Sequence, residues 1–274
     1  MKKILSTALT ILFLALTAQA QINLKYDLNS GLKYSNRVII DQTITQSMMG
    51  QSQDVESGQG YGILLEVKGK GDNGYNVALT YESIRAKQPM MGLDYDSETA
   101  TVEPIGAAKA ISAIIGTSIN FTITEEGEIG NLTGTDAMLD EMVTNMGISD
   151  AGEAQVFKAQ ISSQYNDESL EQQLKSALIR FPQKSLNIGD SWKSDDSIAA
   201  PFNMSIQTNY ELVEYDDKTA TLKVESEIST SGDELSMNGA TMQPDLSGTQ
   251  TGMVVVDRAT GLTLSSSTSQ NLSG

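Results

Sequence analysis

Apolar and polar residues alternate along most of this chain, and the alternation stops in one place. Over residues 135–181 the apolar positions recur every three or four residues, as on an amphipathic helix. On either side they recur every second residue, as on a half-buried strand. Ile22, Leu24, Tyr26 and Leu28 predict a first strand, closed by Asn29-Ser30-Gly31. A long strand follows, with Tyr34, Val38, Ile40 and Ile44 on one face, up to Met48-Met49-Gly50. Residues 51–60, polar and glycine-rich, read as a loop. Tyr61, Ile63, Leu65 and Val67, then Tyr75, Val77, Leu79 and Tyr81, predict a hairpin turned by residues 68–74. A short helix is expected over 104–115, and strands resume at Ile119, Phe121 and Ile123 before a turn at Glu125-Glu126-Gly127.

Three helices are predicted in the interlude. Thr135 or Asp136 caps the first, whose stripe is Met138, Met142 and Met146, and Gly147 stops it. Asp150 with Glu153 three residues on is a capping-box variant for the second, with a stripe of Phe157, Ile161 and Tyr165. The third starts after Asp167, aligns Leu170, Leu174, Leu178 and Phe181, and is ended by Pro182. Period two then returns. Phe202, Met204, Ile206, Tyr210 and Leu212 predict a long strand with a bulge near Thr208, and Asp216-Asp217-Lys218 turns it into Ala220, Leu222, Val224 and Ile228. A polar loop over 232–248 precedes a last hairpin turned over 257–261. The chain stops at Gly274 directly off this strand, which raises the expectation of a further, fold-completing strand.

The two flanks echo each other. Leu28-Asn29-Ser30-Gly31-Leu32-Lys33-Tyr34 matches Leu186-Asn187-Ile188-Gly189-Asp190-Ser191-Trp192 in its Leu, Asn, Gly and aromatic positions, and each precedes a long strand and a hairpin. Strand–turn–strand order is common in β proteins, so duplication and coincidence both fit. The expected fold is α+β and predominantly antiparallel β. Curved sheets from two similar β halves (21–134 and 182–274) are covered by a central helical segment (135–181), in a single domain over 21–274.

Composition adds an address and several exclusions. Lys2, Lys3, an apolar run over 4–16 and Ala18-Gln19-Ala20 read as a signal peptide over 1–20, cleaved after Ala20. The chain has no cysteine, so no thioether-linked lipid anchor and no disulfide is expected, and the protein is expected to be periplasmic or secreted. No later stretch is apolar enough to cross a membrane as a helix. Removing Lys2 and Lys3 takes the formal net charge from −17 to −19, which argues against nucleic acid and anionic headgroups as partners.

At Gly31-x-x-Tyr34, Met49-Gly50-Gln51, Tyr95-Asp96-Ser97-Glu98, Phe181-Pro182, Gly189-Asp190-Ser191-Trp192 and Val256-Asp257-x-x-Thr260-Gly261 the chain resembles a family of secreted or lipid-anchored bacterial proteins of unknown function. The resemblance covers most of residues 21–274, implies no catalytic residue, and departs from many members in lacking a lipidation cysteine. More distantly, long strands with covering helices are similar in outline to periplasmic lipoprotein-carrier half-barrels, an analogy of fold alone.

With neither His nor Cys, the chain cannot build Ser-His-Asp or Cys-His catalysis or an ordinary zinc site. Gly69-x-Gly71-x-x-Gly74 spells a dinucleotide fingerprint but leads into a strand instead of a helix, so it reads as a hairpin turn. Asp94, Asp96 and Glu98, at alternate positions, could surround calcium or form a solvated acidic edge; Gly and Glu are missing from the positions an EF-hand needs. The methionines fit adaptable core packing, a flexible apolar groove, or thioether-held Cu(I). No cofactor is expected. The leading expectation is an exported, non-enzymatic protein that binds a lipid or other apolar small molecule between sheet and helices, at Met138, Met142, Met146, Phe157 and Leu174. The alternative is a structural or protein-interaction module of the cell envelope.

Overall fold

The computed structural model describes residues 21–48, 51–89, 92–162, 164–198, 203–230, 235–237, 240–242 and 245–274. The signal-like residues 1–20, Met49-Gly50, Met90-Met91, Phe202 and part of the 232–248 loop lie outside these. The first half supplies β1 (Lys33–Met48), β2 (Gln51–Gly71), β3 (Gly74–Gln88), β4 (Leu93–Asp96), the short helix α1 (Gly106–Ser112), β5 (Ser118–Ile123) and β6 (Ile129–Thr133). Helices α2 (Thr135–Met146), α3 (Ala151–Ile161) and α4 (Asp167–Ala177) follow. The second half supplies β7 (Ser191–Ile198), β8 (Met204–Tyr215), β9 (Thr219–Thr230), a small hairpin of β10 (Leu235–Met237) and β11 (Ala240–Met242), then β12 (Ser247–Asp257) and β13 (Thr263–Ser273).

These strands form two antiparallel sheets with the same plan. The first runs β1-β2-β3-β5-β6, with β4 also on β3; the second runs β13-β12-β9-β8-β7. Each is therefore a meander interrupted once, after its third strand. The echo read in the sequence extends to individual hydrogen bonds. Gly31 N–H donates to Val67 O and Val67 N–H to Leu32 O; likewise Gly189 N–H donates to Leu212 O and Leu212 N–H to Asp190 O. Gly31 and Gly189 both have positive φ, +81° and +89°, which is why glycine stands at both turns. Each ladder slips directly after its anchor, between Val67 and Gly69 and between Leu212 and Glu214. The bulge expected near Thr208 therefore lies further along, at the turn's contact, and Thr208 sits in unbroken register.

The first predicted strand behaves differently. Ile22, Leu24, Tyr26 and Leu28 are all buried, yet the segment joins neither sheet ladder; only Ile22 makes a bridge, with Leu186. Its amides instead reach the end turns of both sheets, Tyr26 N–H donating to Glu125 O (2.7 Å) and Asp27 N–H to Thr260 O (3.1 Å). It is a buried tie between the halves. At its flank Lys25 and Lys70 approach Glu125 at 2.8 and 2.7 Å and hold its carboxyl down at about 2. A carboxylate depressed in this way stabilises the fold above its ordinary value of 4.5, and that contribution is lost as pH falls from there toward about 2. The Glu125→Gln variant should therefore melt slightly below the parent at neutral pH, with the gap closing through that window. The gap is small because exposed pairs are screened. A gap that stays constant down to about pH 2 would assign the effect to something other than the ion pairs.

Residues 51–60 are not a loop but the outer part of β2. Their glycines are spacers within a strand. Gly58, Gly60 and Gly62 lie on one face, where an added Cβ would meet Asp41 Oδ1 at 2.7 Å, Val38 O at 2.9 Å and Ser83 Oγ at 2.3 Å. The missing side chains let β1 and β3 join hands across β2. Arg85 pairs with Asp41 at 2.9 Å, and Glu98 takes both Arg37 (2.5 Å) and Ser83 (3.0 Å). Beyond Gly58 the β1–β2 hairpin continues as a two-stranded ribbon.

Of the helices, α2 is anchored most deeply, by Met138, Leu139, Met142 and Val143. Asp150 caps α3 as expected, accepting from Glu153 N–H at 2.9 Å, but α3 has no buried residue. Helix α4 buries Leu170 and packs on both β6 and β7, an edge strand of each sheet. It ends at Ala177, well before Pro182. The chain turns extended at Leu178, so Ile179 and Phe181 enter the core and Phe181 N–H donates to Glu126 O.

Candidate functional site

The five apolar residues proposed for a ligand come from three helices and meet on one core. Met138 and Met142 are fully buried, and Met146, Phe157 and Leu174 are half-buried against the same cluster. The two deepest methionines offer no surface; they fill the space between α2 and the first sheet. The three acids do not converge. Asp94 lies opposite Lys87 on β4, Asp96 accepts from Glu98 N–H in the following turn, and Glu98 is held by Arg37 and Ser83. Among the described residues no three acidic groups gather where a cation could sit.

A different surface emerges from the strand register. Tyr34 faces Leu65, Ile63 faces Tyr81 and Tyr61 faces Val38, so these side chains share the core-facing side of β1, β2 and β3. Tyr61 and Tyr81 meet edge to face with ring centroids 6.1 Å apart. Tyr165, in the turn after α3, joins them. Burial pushes its hydroxyl well up from the ordinary tyrosine range, and the neighbouring Tyr61 and Tyr81 hydroxyls add to the shift. Burial likewise raises Tyr81 to about 12 and raises Tyr61. All three are neutral at physiological pH and can donate or accept. The Tyr34 hydroxyl is buried without a hydrogen-bond partner, the one such side-chain atom among the described residues. Its counterpart by turn and register, Trp192, is satisfied: its indole N–H donates to Arg180 O at 2.7 Å and its ring stacks on Tyr210.

The signal for this face was present in the sequence as tyrosines at the apolar phase of three strands. Nine tyrosines stand in the chain against one tryptophan. What the sequence lacked was the pairing that sets Tyr61 beside Tyr81, and the helix turn that brings Tyr165 onto them.

Elsewhere several carboxyls serve turns and ion pairs. The carboxyls of Glu66, Glu125, Asp190 and Asp216 are all shifted downward, by lysines or by turn amides. None of these moves toward the neutral range that general acid–base catalysis favours. An open depression of about 520 Å³ lies on the second sheet, lined by side chains such as Ser205, Gln207, Glu227 and Thr249. It lies on the other sheet from the tyrosine face.

The fold is thus a pair of like-wound antiparallel meanders, sewn together by an N-terminal tie and a helical insert. The chain belongs to a family of unknown function, DUF6263, whose model matches residues 72–263. That span runs from the β2–β3 turn to the start of β13, and so takes in all four helices and most of the second sheet, while β1 and β2 of the first sheet lie outside it. Comparison with curated proteins and with solved structures finds no match.

Proposed function

We propose that the protein is an exported, non-enzymatic binder of a small apolar molecule carrying one hydrogen-bonding group, held between the tyrosine face of the first sheet and α3. The observation that carries this reading is the orphan Tyr34 hydroxyl on the face that Tyr165 reaches from the turn after α3, a helix that buries none of its own residues. A buried hydroxyl left unpaired costs about 1–3 kcal/mol, and an occupant with a polar atom relieves that cost. Helix α3 rests on its half-buried stripe of Phe157 and Ile161, with Val156 exposed, so it can lift as a lid while α2 stays anchored. The site thereby moves from the buried Met138 and Met142 to the neighbouring α3 side. The signal-like N-terminus and the absence of His and Cys agree with export and with binding as the activity.

Native mass spectrometry after gentle purification should show a bound mass in the lipid or small-metabolite range. The neutral probe N-phenyl-1-naphthylamine should brighten on adding protein and less so with Phe157→Asp. A bare protein mass together with a dark probe would sink the reading.

A further inference from the structure

The outermost strand of the first sheet, β1, has no partner on its free edge among the described residues. It is 16 residues long and carries no proline or glycine. Four of its large apolar side chains are well exposed: Val38 (40%), Ile39 (52%), Ile40 (37%) and Ile44 (43%). A long, regular, apolar edge of this kind templates another strand unless something blunts it. Arg37 and Asp41 are the charges in its centre, and their spacing decides what fits.

We propose that β1 pairs antiparallel with β1 of a second copy of this chain, about a twofold axis through Ile39, joining two first sheets into one. In this register Ile39 faces Ile39 once, on the axis, and Val38 faces Ile40, Tyr34 faces Ile44, Asn36 faces Gln42 and Arg37 faces Asp41, each of these four pairs occurring twice. Apolar meets apolar, amide meets amide, and opposite charges meet. Neighbouring registers fail. An axis through Val38 sets Ile40 against Asn36, one through Ile40 sets Asp41 against Ile39, and one through Asp41 sets two carboxylates face to face. Registers between these are forbidden, because alternate residues of an edge strand point their amides outward, so only residues of like parity can pair.

The ion pairs inside each copy extend the match. Arg37 is held by Glu98 at 2.5 Å and Asp41 by Arg85 at 2.9 Å, all on one face of the sheet. Pairing the edges places Glu98, Arg37, Asp41 of the second copy and Arg85 of the second copy in one row of alternating charge. The glycines of β2 that admit the Asp41–Arg85 contact therefore also shape the interface. The contact is isologous, so it closes at two copies and leaves no further β1 edge for growth. It does not depend on the proposed ligand.

The absence of cysteine makes the register directly readable. Sedimentation equilibrium of the purified protein should give twice the chain mass. Ile39→Asp, which sets two carboxylates on the axis, should give a single chain mass with an unchanged circular-dichroism spectrum and a cooperative melt that no longer depends on protein concentration. Under mild oxidation Ile39→Cys should cross-link to its own copy, because directly opposed Cβ atoms lie about 5 Å apart. Thr43→Cys should not, since eight residue steps separate the two copies of position 43 by about 27 Å. A parent that stays monomeric across a concentration series overturns the proposal. So does a dimer that survives Ile39→Asp, or equal cross-linking at positions 39 and 43.

Discussion

Replacing Tyr26 by alanine is expected to cost about 3–5 kcal/mol of unfolding free energy, the range of aromatic-to-alanine truncation in a packed core. Tyr26 is 1% exposed and lies in the segment that touches both sheets. Its ring packs on Phe181 with centroids 5.3 Å apart, and its hydroxyl bonds the backbone of Ile179, so it pins the chain just after α4 as well. Little around it can collapse into the space left behind. One wall is a turn of the first sheet, another is a turn of the second, and both are fixed by backbone hydrogen bonds to Tyr26 and Asp27. The cost should therefore fall at the high end, where relaxation is poor. Tyr26→Phe removes only the hydroxyl and should lose about 1 kcal/mol. Urea unfolding followed by circular dichroism measures both. A loss below about 1 kcal/mol for the alanine variant would show that the segment lies on the fold instead of tying it.

The tie also shows what was legible in the sequence. Alternation at Ile22, Leu24, Tyr26 and Leu28 correctly marked an extended segment with one buried side. It could not say whether the segment's amides bond a neighbouring strand or two distant turns, because that depends on residues about a hundred and more positions away. The period change at Thr135 and the Asp150 cap were legible for the opposite reason, since both are settled within a turn or two of chain. Helix α4 followed the local rule at its start and broke it at its end. Leu178 has the spacing to continue the helix, but burying Ile179 and Phe181 beside the tie outweighed the remaining turn. Residues 51–60 misled by composition. Glycine in a strand is set by what crosses over it, and the crossing pairs Asp41–Arg85 and Arg37–Glu98 come from other strands. The candidate site divided the same way. The methionine stripe of α2 was readable as a buried face, whereas the tyrosine face exists only once three strands and a helix turn are in register.

The two end turns allow backbone strain and steric conflict to be weighed separately. Gly127, Gly189 and Gly261 all have positive φ, +99°, +89° and +75°. At Gly189 an added methyl meets nothing within 4 Å. Alanine there should lose only the conformational cost of a left-handed non-glycine residue, about 1–2 kcal/mol. At Gly261 the same methyl would lie 2.3 Å from Lys25 O, and at Gly127 it would lie 2.5 Å from Ile179 O and 2.8 Å from Tyr26 Cε2. Backbone must move in both cases, adding about 1–3 kcal/mol of overpacking. Gly127→Ala and Gly261→Ala are thus each expected to lose about 2–5 kcal/mol, clearly more than Gly189→Ala. The pair also differs in what relieves it. Removing the Tyr26 ring takes away one of the atoms that obstruct Gly127 but none of the Lys25 backbone that obstructs Gly261. The double variant Tyr26→Ala/Gly127→Ala should therefore fall short of the summed single losses by about 0.5–3 kcal/mol, while Tyr26→Ala/Gly261→Ala stays closer to additive. Equal losses at all three glycines would mean that the turns yield freely, and that the tie is not clamped between them.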